Sequence, residues 1–263
     1  MFTGENHPNS LAGQLKIVTG DTTQYGVYST GTVKKHAYGT RYRVGDRVFH
    51  YGKSSSILNP KRGAFNEGRY RQVTGGNVTA RVVGDTWLDF LLDANTGAAT
   101  WFGTKNNMVG GMYVHASPAT NTQFRMITGH EKGADAATIK VYLDGPLTLA
   151  IAAAGFAEIA QNPYSLLGQN ANSLASVMGV PTTNHLSGAY GWFQSWGPCF
   201  LNPHAPVADT NNWRTVVFRQ DGSCVSFEDA TGENGHQVAG FVIDNTFGNL
   251  NNPPFIFLQI SPF

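Results

Sequence analysis

The sequence predicts an all-β protein, a β-barrel or β-sandwich body that follows an extended N-terminal arm. Charged residues make up only 13% of the 263 residues, and the chain contains 31 glycines. This composition favours strands and turns over helices. Short runs of alternating apolar residues recur along the chain between clusters of turn residues. Several short strands at such spacing are typical of a barrel or a sandwich.

Two turn signals predict β-hairpins. Gly45-Asp46 separates short alternating runs at 41–44 and 47–51, and Asp221-Gly222 separates runs at 213–220 and 223–227. An Asp-Gly pair between apolar runs is a strong short-range hairpin signal because glycine tolerates the positive φ that a tight turn requires.

The remaining strands are predicted from hydrophobic periodicity. The run at 138–143 alternates, which places Ile139, Val141 and Leu143 on the inner face. The apolar run at 255–260 is nearly continuous, which predicts a final strand buried on both faces. Residues 147–160 are rich in alanine but contain Gly155, so we predict β or irregular structure there. Other predicted strands lie at 78–83, 112–115, 124–128 and 238–243.

The composition of the chain divides it into four segments. Residues 1–40 are rich in Gly, Asn, Ser and Thr with scattered apolar side chains, which favours an extended arm that becomes ordered on a partner. Residues 41–76 are predicted to be a hairpin and a linker. Residues 77–160 are predicted to be a β domain, and residues 161–263 a second β domain or a continuation of the same body.

Charge and hydropathy exclude several classes of partner. A net charge of +1 provides no field that would attract nucleic acid or a membrane surface. The first residues do not resemble a signal peptide. The longest apolar stretch, 147–157, is shorter than the roughly 18 residues of a membrane span. We therefore expect a protein made in the cytoplasm, with Cys199 and Cys224 as reduced thiols.

The sequence contains no recognisable catalytic or metal-binding motif. The eight histidines show neither an HExxH motif nor zinc-finger spacing. Ser195 does not lie in a GxSxG motif, because Phe193 stands where the first glycine is needed. Asp85, Asp89 and Asp93 could supply a carboxylate pair for polysaccharide hydrolysis, but the apolar residues between them favour a packed strand or turn. We predict a protein that is not an enzyme and has neither a metal nor a cofactor.

Aromatic residues are concentrated at 190–196, which includes Tyr190, Trp192, Phe193 and Trp196. They could pack in the core, anchor a protein interface or stack on sugars. An alternating strand places side chains on both faces, so these alternatives stay open. The candidate partner-binding residues are Phe2, Leu11, Leu15, Tyr25, Tyr28, Lys53, Trp192, Phe193 and Trp196.

Several motifs occur in the same order as in a known family. The segment GDRVFHYGK at 45–53 resembles the DGRVFRYAKAG segment of virion structural proteins of tailed phages. It is followed by GGMYVH at 110–115, FRMI at 124–127, LDGP at 143–146, NPYS at 162–165 and YGWFQSWGP at 190–198. The last motif is the most distinctive. The first forty residues and the alanine-rich stretch match poorly.

The resemblance implies a capsid decoration (cement) protein of a tailed bacteriophage. Such a protein would sit on the capsid exterior of the virion, bind the major capsid protein and associate as a homotrimer. The family contributes no catalytic residues and no cofactor. The alternative function is a tail- or fibre-associated module that binds host glycans, with the aromatics at 190–196 on its surface.

Overall fold

The computed structural model describes residues 26–67, 70–91, 113–117, 123–132, 138–151, 155–169, 175–207, 214–228, 237–244 and 252–261. These ranges include a short 3-10 helix, Gly26–Tyr28, and no α-helix. The strands are β1 (Thr30–Gly31), β2 (Arg41–Val44), β3 (Arg47–Lys53), β4 (Ala64–Asn66), β5 (Tyr70–Val78), β6 (Trp87–Leu91), β7 (Tyr113–Ser117), β8 (Gln123–His130), β9 (Thr138–Leu143), β10 (Gly155–Ala160), β11 (Leu167–Gly168), β12 (Val177–Pro181), β13 (Tyr190–Phe200), β14 (Thr215–Phe218), β15 (Cys224–Ser226), β16 (Val238–Asp244) and β17 (Phe255–Gln259).

The all-β prediction is confirmed, and the strands fall into two compact units. The first unit comprises residues 1–36, 40–67 and 164–263, and the second comprises 37–39 and 68–163. Residues 41–76, predicted to be a hairpin and a linker, contribute β2, β3 and β4 to the sheet of the first unit and β5 to the barrel of the second. Most of this segment is therefore built into sheets.

The first unit is one antiparallel sheet of eleven strands. Its main path runs β11-β4-β12-β13-β17-β16-β14-β15, and β3 joins β13 to β2 beside that path. Both predicted hairpins are confirmed. Val44 pairs with Arg47 across Gly45-Asp46, and Phe218 pairs with Cys224 across the second turn. The buried core of this sheet includes Val216, Ile256 and Leu258.

The second unit is a closed antiparallel barrel with the strand order β10-β5-β6-β9-β8-β7. The predicted inner face of β9 is confirmed, since Ile139, Val141 and Leu143 are buried. Strand β10 and an isolated bridge between Arg81 and Ile151 agree with β or irregular structure at 147–160, although 152–154 lie outside the described residues.

The strand predicted at 78–83 is wrong beyond residue 78. Strand β5 ends there, and Val82 and Val83 lie in an exposed turn. The Asp85 carboxylate accepts the Val82 N–H at 3.2 Å, and Gly84 adopts φ +99°. This local turn chemistry outweighs the β propensity of the two valines.

The predicted N-terminal arm is partly incorporated into the first unit. Residues 1–25 lie outside the described residues. The carbonyl of Val27 accepts a hydrogen bond from the Thr182 hydroxyl, and β1 pairs with β13. Val27 is 3% exposed and packs with Trp192 and Phe49. Residues 26–31 are thus part of the fold of the first unit.

Strand β13 is the central element of the first unit. It pairs with β3, β12 and β17 along different parts of its eleven residues. Gly197 adopts φ +91°, and a Cβ at this position would lie 2.3 Å from the Asp46 carbonyl oxygen. Only glycine allows this close approach of two backbones. The β13 residues beyond Gly197 pair with β17 and form part of the site described next.

Candidate functional site

Of the five partner-binding residues predicted in the first forty positions, the structure describes Tyr28. Phe2, Leu11, Leu15 and Tyr25 lie outside the described residues, so their contact with a partner stays a prediction. Tyr28 is 58% exposed, and its hydroxyl accepts a hydrogen bond from Arg47 Nη1 at 2.8 Å.

The other predicted residues lie on β3 and β13. Lys53 is half-buried, with its Nζ 5.5 Å from the centre of the Tyr190 ring. Trp192 is 2% exposed and Phe193 is fully buried. Both therefore pack in the core, which corrects their assignment to a partner-binding surface. Trp196 is only partly buried and remains accessible to a partner.

The second half of β13 helps to form a different apolar surface, which we call the aromatic face. Between β13 and β17, Pro198 lies opposite Phe257, and Phe200 lies opposite Phe255. Strand β16 is the other neighbour of β17, and its Phe241 also lies opposite Phe257. Directly opposed side chains point to the same side of a sheet. The aromatic face comprises Trp196, Pro198, Phe200, Phe241, Phe255 and Phe257.

The residues between these positions point to the other side of the sheet. Ile256 and Leu258 are fully buried and Val242 is 3% exposed, and all three belong to the core of the first unit. The core is therefore complete on one side of these three strands. The aromatic face lies on the opposite side, and it takes no part in that core.

The aromatic rings contact one another and remain accessible. The Phe241 and Phe257 rings are stacked at 5.4 Å, Trp196 meets Phe257 edge-on at 5.5 Å, and Phe200 lies 5.0 Å from Phe255. Phe200 is 51% exposed and Phe241 is 40% exposed. None of the six side chains is charged. Contiguous exposed apolar surfaces are common at sites where proteins bind other molecules.

The exposed apolar surface extends one strand further. Thr215 of β14 lies opposite Phe241, and its carbonyl accepts the N–H of Phe227 at 3.0 Å. Phe227 is 57% exposed. A row of exposed residues therefore crosses the neighbouring strands from β13 to Phe227, the residue that follows β15.

Sequence reasoning identified Trp196 but missed the rest of this face. The run at 255–260 was predicted to be buried on both faces, and this is wrong, because only Ile256 and Leu258 are buried while Phe255 and Phe257 are partly exposed. The apolar run at 255–260 was itself a signal for an exposed apolar face. A strand that is apolar on both faces either lies inside a protein or presents one face to a partner.

Three comparisons with known proteins found no similar protein. No protein-family model, curated protein or solved structure matches this chain. The functional interpretation therefore depends on the geometry of the described residues.

A buried serine–histidine contact is the nearest approach to a catalytic arrangement among those residues. His50 Nδ1 lies 2.9 Å from Ser195 Oγ, and the Ser195 hydroxyl donates to the Ser261 carbonyl at 2.8 Å. Because the serine proton points to that carbonyl, His50 Nδ1 must carry a proton and donate it. A histidine that donates to the hydroxyl cannot remove its proton. Ser195 is also fully buried. This geometry indicates a structural contact.

We expect Ser195→Ala to lower the free energy of unfolding by about 2 kcal/mol, because it leaves the buried His50 donor and the Ser261 carbonyl without this hydroxyl. Chemical denaturation would measure the change. Ser223→Ala is a control for removing another buried hydroxyl, since its partner Asp221 also accepts the Ser223 N–H. An unfolding free energy unchanged by Ser195→Ala would contradict the structural role.

The proposed carboxylate pair has structural partners in the second unit. Asp89 forms an ion pair with Arg81, whose guanidinium lies 3.5 Å from the centre of the Trp87 ring. Asp85 accepts the Val82 N–H in the turn described above. Asp93 lies outside the described residues. These contacts account for both described carboxylates through the fold.

The thiols and possible metal ligands give no support for reactive chemistry. Cys199 and Cys224 are free, and burial raises the pKa of each thiol to about 12. A thiol with such a pKa is a poor nucleophile at neutral pH. In the part of the chain that the structure describes, no group of three His, Cys, Asp or Glu side chains could hold a metal ion. No helix there is long and apolar enough to cross a membrane.

Proposed function

We propose that this chain is a structural virion protein that decorates and stabilises a tailed-phage capsid by binding the major capsid protein lattice. In this proposal it acts without catalysis, associates as a homotrimer, and lies on the capsid exterior of the virion after synthesis in the host cytoplasm. The observation that supports it most directly is the aromatic face. The motif resemblance from 45 to 198 provides the specific partner.

The chemistry of the aromatic face favours a protein partner. The cores of protein interfaces are enriched in aromatic side chains and depleted of charge. Trp and Tyr are enriched at the positions that supply most of the binding energy there. The aromatic face has five aromatic rings, one of them a tryptophan, on three adjacent strands and no charged member. A rigid sheet presents these rings in fixed positions, which reduces the entropy lost on binding.

Repetition on a lattice strengthens this kind of attachment. A homotrimer would present three aromatic faces to symmetry-related capsid subunits, so each further contact would form at a high effective concentration. Modest affinity at each face is then sufficient for stable decoration.

The glycan-binding alternative receives less support. It required exposed aromatics at 190–196, and Trp192 and Phe193 are buried. Sugar recognition also needs several polar groups placed around the stacking ring. The aromatic face provides few, since Thr215, Asp244 and Gln259 are the polar side chains paired directly with its members.

A decoration assay with charged variants tests the proposal. We expect Phe200→Lys and Phe241→Lys each to weaken binding to undecorated capsids about tenfold or more, because a lysine there must be desolvated in the interface. Co-sedimentation with capsids would measure the bound fraction. Both phenylalanines are substantially exposed, so we expect the free energy of unfolding to change by less than about 1 kcal/mol.

Phe124→Lys provides the matched control. Phe124 is 61% exposed but belongs to the second unit, outside the aromatic face. It should decorate capsids as the unmodified chain does. Normal decoration by both face variants would contradict the role of this face. Absence of capsid binding by the unmodified chain, together with binding on a glycan array, would favour the alternative function. Sedimentation velocity tests the trimer.

A further inference from the structure

A cavity of about 440 Å³ lies in the first unit beside the aromatic face. This volume is within the range of sites that hold small molecules or a few peptide side chains. The cavity shares Phe200, Phe255 and Pro198 with the aromatic face. Its opposite side is formed by residues of β3, β12 and the loop before β4. The residues that matter to the argument are Tyr28, Arg47, Lys61, Pro181, Phe200 and Phe255.

Arg47 is held in one orientation at the wall of this cavity. Its Nε and Nη2 donate to Gln194 Oε1 at 3.0 and 2.8 Å, and its Nη1 donates to the Tyr28 hydroxyl at 2.8 Å. The guanidinium also lies 4.7 Å from the centre of the Phe49 ring. The Gln194 side chain is itself fixed, because its Nε2 donates to the carbonyls of Trp196, Gly197 and Pro198. Such positioning lowers the entropy cost of binding a ligand.

Two N–H groups of the Arg47 guanidinium remain available to a ligand. It carries five N–H groups, and Gln194 and Tyr28 engage three of them, which leaves one N–H on Nη1 and one on Nη2. Among the described residues, no carboxylate forms an ion pair with Arg47. Arg47 is partly buried, so a bound anion can reach it from the cavity. A carboxylate can accept hydrogen bonds from these remaining N–H groups.

Lys61 adds a second positive charge in an unusual backbone conformation. It adopts φ +66° and is the one described residue other than glycine with a positive φ. Its carbonyl accepts the Asn202 N–H at 2.7 Å, which holds the loop in place. Residues other than glycine adopt a positive φ at an energetic cost, and residues with such strained backbones occur frequently at binding sites. Arg47 and Lys61 are the charged residues of the cavity lining, and that lining contains no acidic residue.

We propose that this cavity binds an acidic peptide segment, in which an Asp or Glu carboxylate pairs with Arg47 and a neighbouring apolar side chain packs on Phe200 and Phe255. The two cations select the charge of the ligand. The proline and phenylalanine walls select a partner with apolar groups beside the carboxylate, which a free phosphate lacks. The cavity shares these walls with the aromatic face, but its ligand is recognised by local chemistry and the test uses no capsid.

Short blocked peptides test the site directly. We would titrate the full chain with N-acetylated, C-amidated Gly-Asp-Phe-Gly and with the matched Gly-Asn-Phe-Gly, and follow the backbone amides by NMR. We expect the aspartate peptide to bind about tenfold more tightly, because a charge-assisted hydrogen bond replaces a neutral one. The shifted amides should include those of Arg47, Lys61 and Phe200. The preference should decrease as salt concentration rises.

Two variants separate charge recognition from folding. Arg47→Gln should abolish the preference for aspartate. Lys61→Asn should reduce it about threefold, and it should leave the fold intact because asparagine tolerates positive φ. Arg43→Gln is the control, since Arg43 is an exposed arginine of the same hairpin that does not line the cavity. Equal binding of the two peptides, an aspartate preference that survives in both variants, or inorganic phosphate that binds as tightly as the aspartate peptide would overturn the proposal.

Discussion

Trp192→Ala will lower the free energy of unfolding by about 4 kcal/mol, because it removes a large buried ring and leaves a cavity that its neighbours cannot fill. Trp192 is 2% exposed and belongs to a cluster with Val27, Phe49 and Tyr51. Its ring lies 5.3 Å from the rings of both Tyr51 and His36. The loss should reduce the melting temperature of the first unit by about 10 °C.

Trp196→Ala is the matched control, on the same strand and with the same change of side chain. Trp196 is partly exposed, and its described ring contact is with Phe257 of the aromatic face. We expect it to lower the unfolding free energy by about 1 kcal/mol and to weaken capsid decoration. Chemical denaturation and the decoration assay would measure the two effects. Equal destabilisation by both variants would contradict the assignment of one tryptophan to the core and the other to the binding face.

Acidification between pH 6.5 and pH 4 will destabilise the first unit by about 3 kcal/mol through His185 alone. His185 is fully buried, and neither ring nitrogen has a hydrogen-bond partner among the described residues. Burial lowers its pKa from 6.5 to about 4. The unfolded chain therefore binds a proton more readily than the folded chain. The stability is fully present above pH 6.5 and is lost as the pH falls towards 4.

His185→Leu isolates this contribution, because leucine has a similar volume and no ionisable group. We expect the variant to lose less stability between pH 7 and pH 4 than the unmodified chain, as measured by urea denaturation at several pH values. Burial also lowers the pKa of His36 and of His130, so some acid sensitivity will remain. Identical pH dependence in the two proteins would show that His185 is not buried in its neutral form.

The sequence predicted those parts of the fold that are determined by local chemistry. The hairpins at Gly45-Asp46 and Asp221-Gly222 depend on adjacent turn residues, and the inner face of β9 follows from strict alternation within six residues. Strand pairing between distant segments cannot be obtained in this way. The closure of the barrel and the pairing of β13 with β3, β12 and β17 depend on contacts between segments far apart in sequence.

A β-bulge explains why the sequence alone does not show which aromatic residues at 190–196 face the core and which face outward. Trp192 pairs with Tyr51 and Trp196 pairs with Val48 on β3, with an extra β13 residue between Gln194 and Trp196. Tyr51 and Val48 are separated by an odd number of positions, so they lie on opposite faces of β3. The bulge thus moves Trp196 to the face opposite Trp192, although the even spacing between them predicts a common face.

The ends of the eleven-stranded sheet restrict how copies of this chain can meet. The main path starts at β11, which has two residues, and finishes at β15, which has three, and the strands beside it end at β1, with two residues, and β2, with four. Such short terminal strands offer few free backbone N–H and C=O groups to an incoming strand, so open-ended growth into fibres is disfavoured. Such a protein can bind a partner through exposed side chains and still resist strand-to-strand aggregation at high concentration.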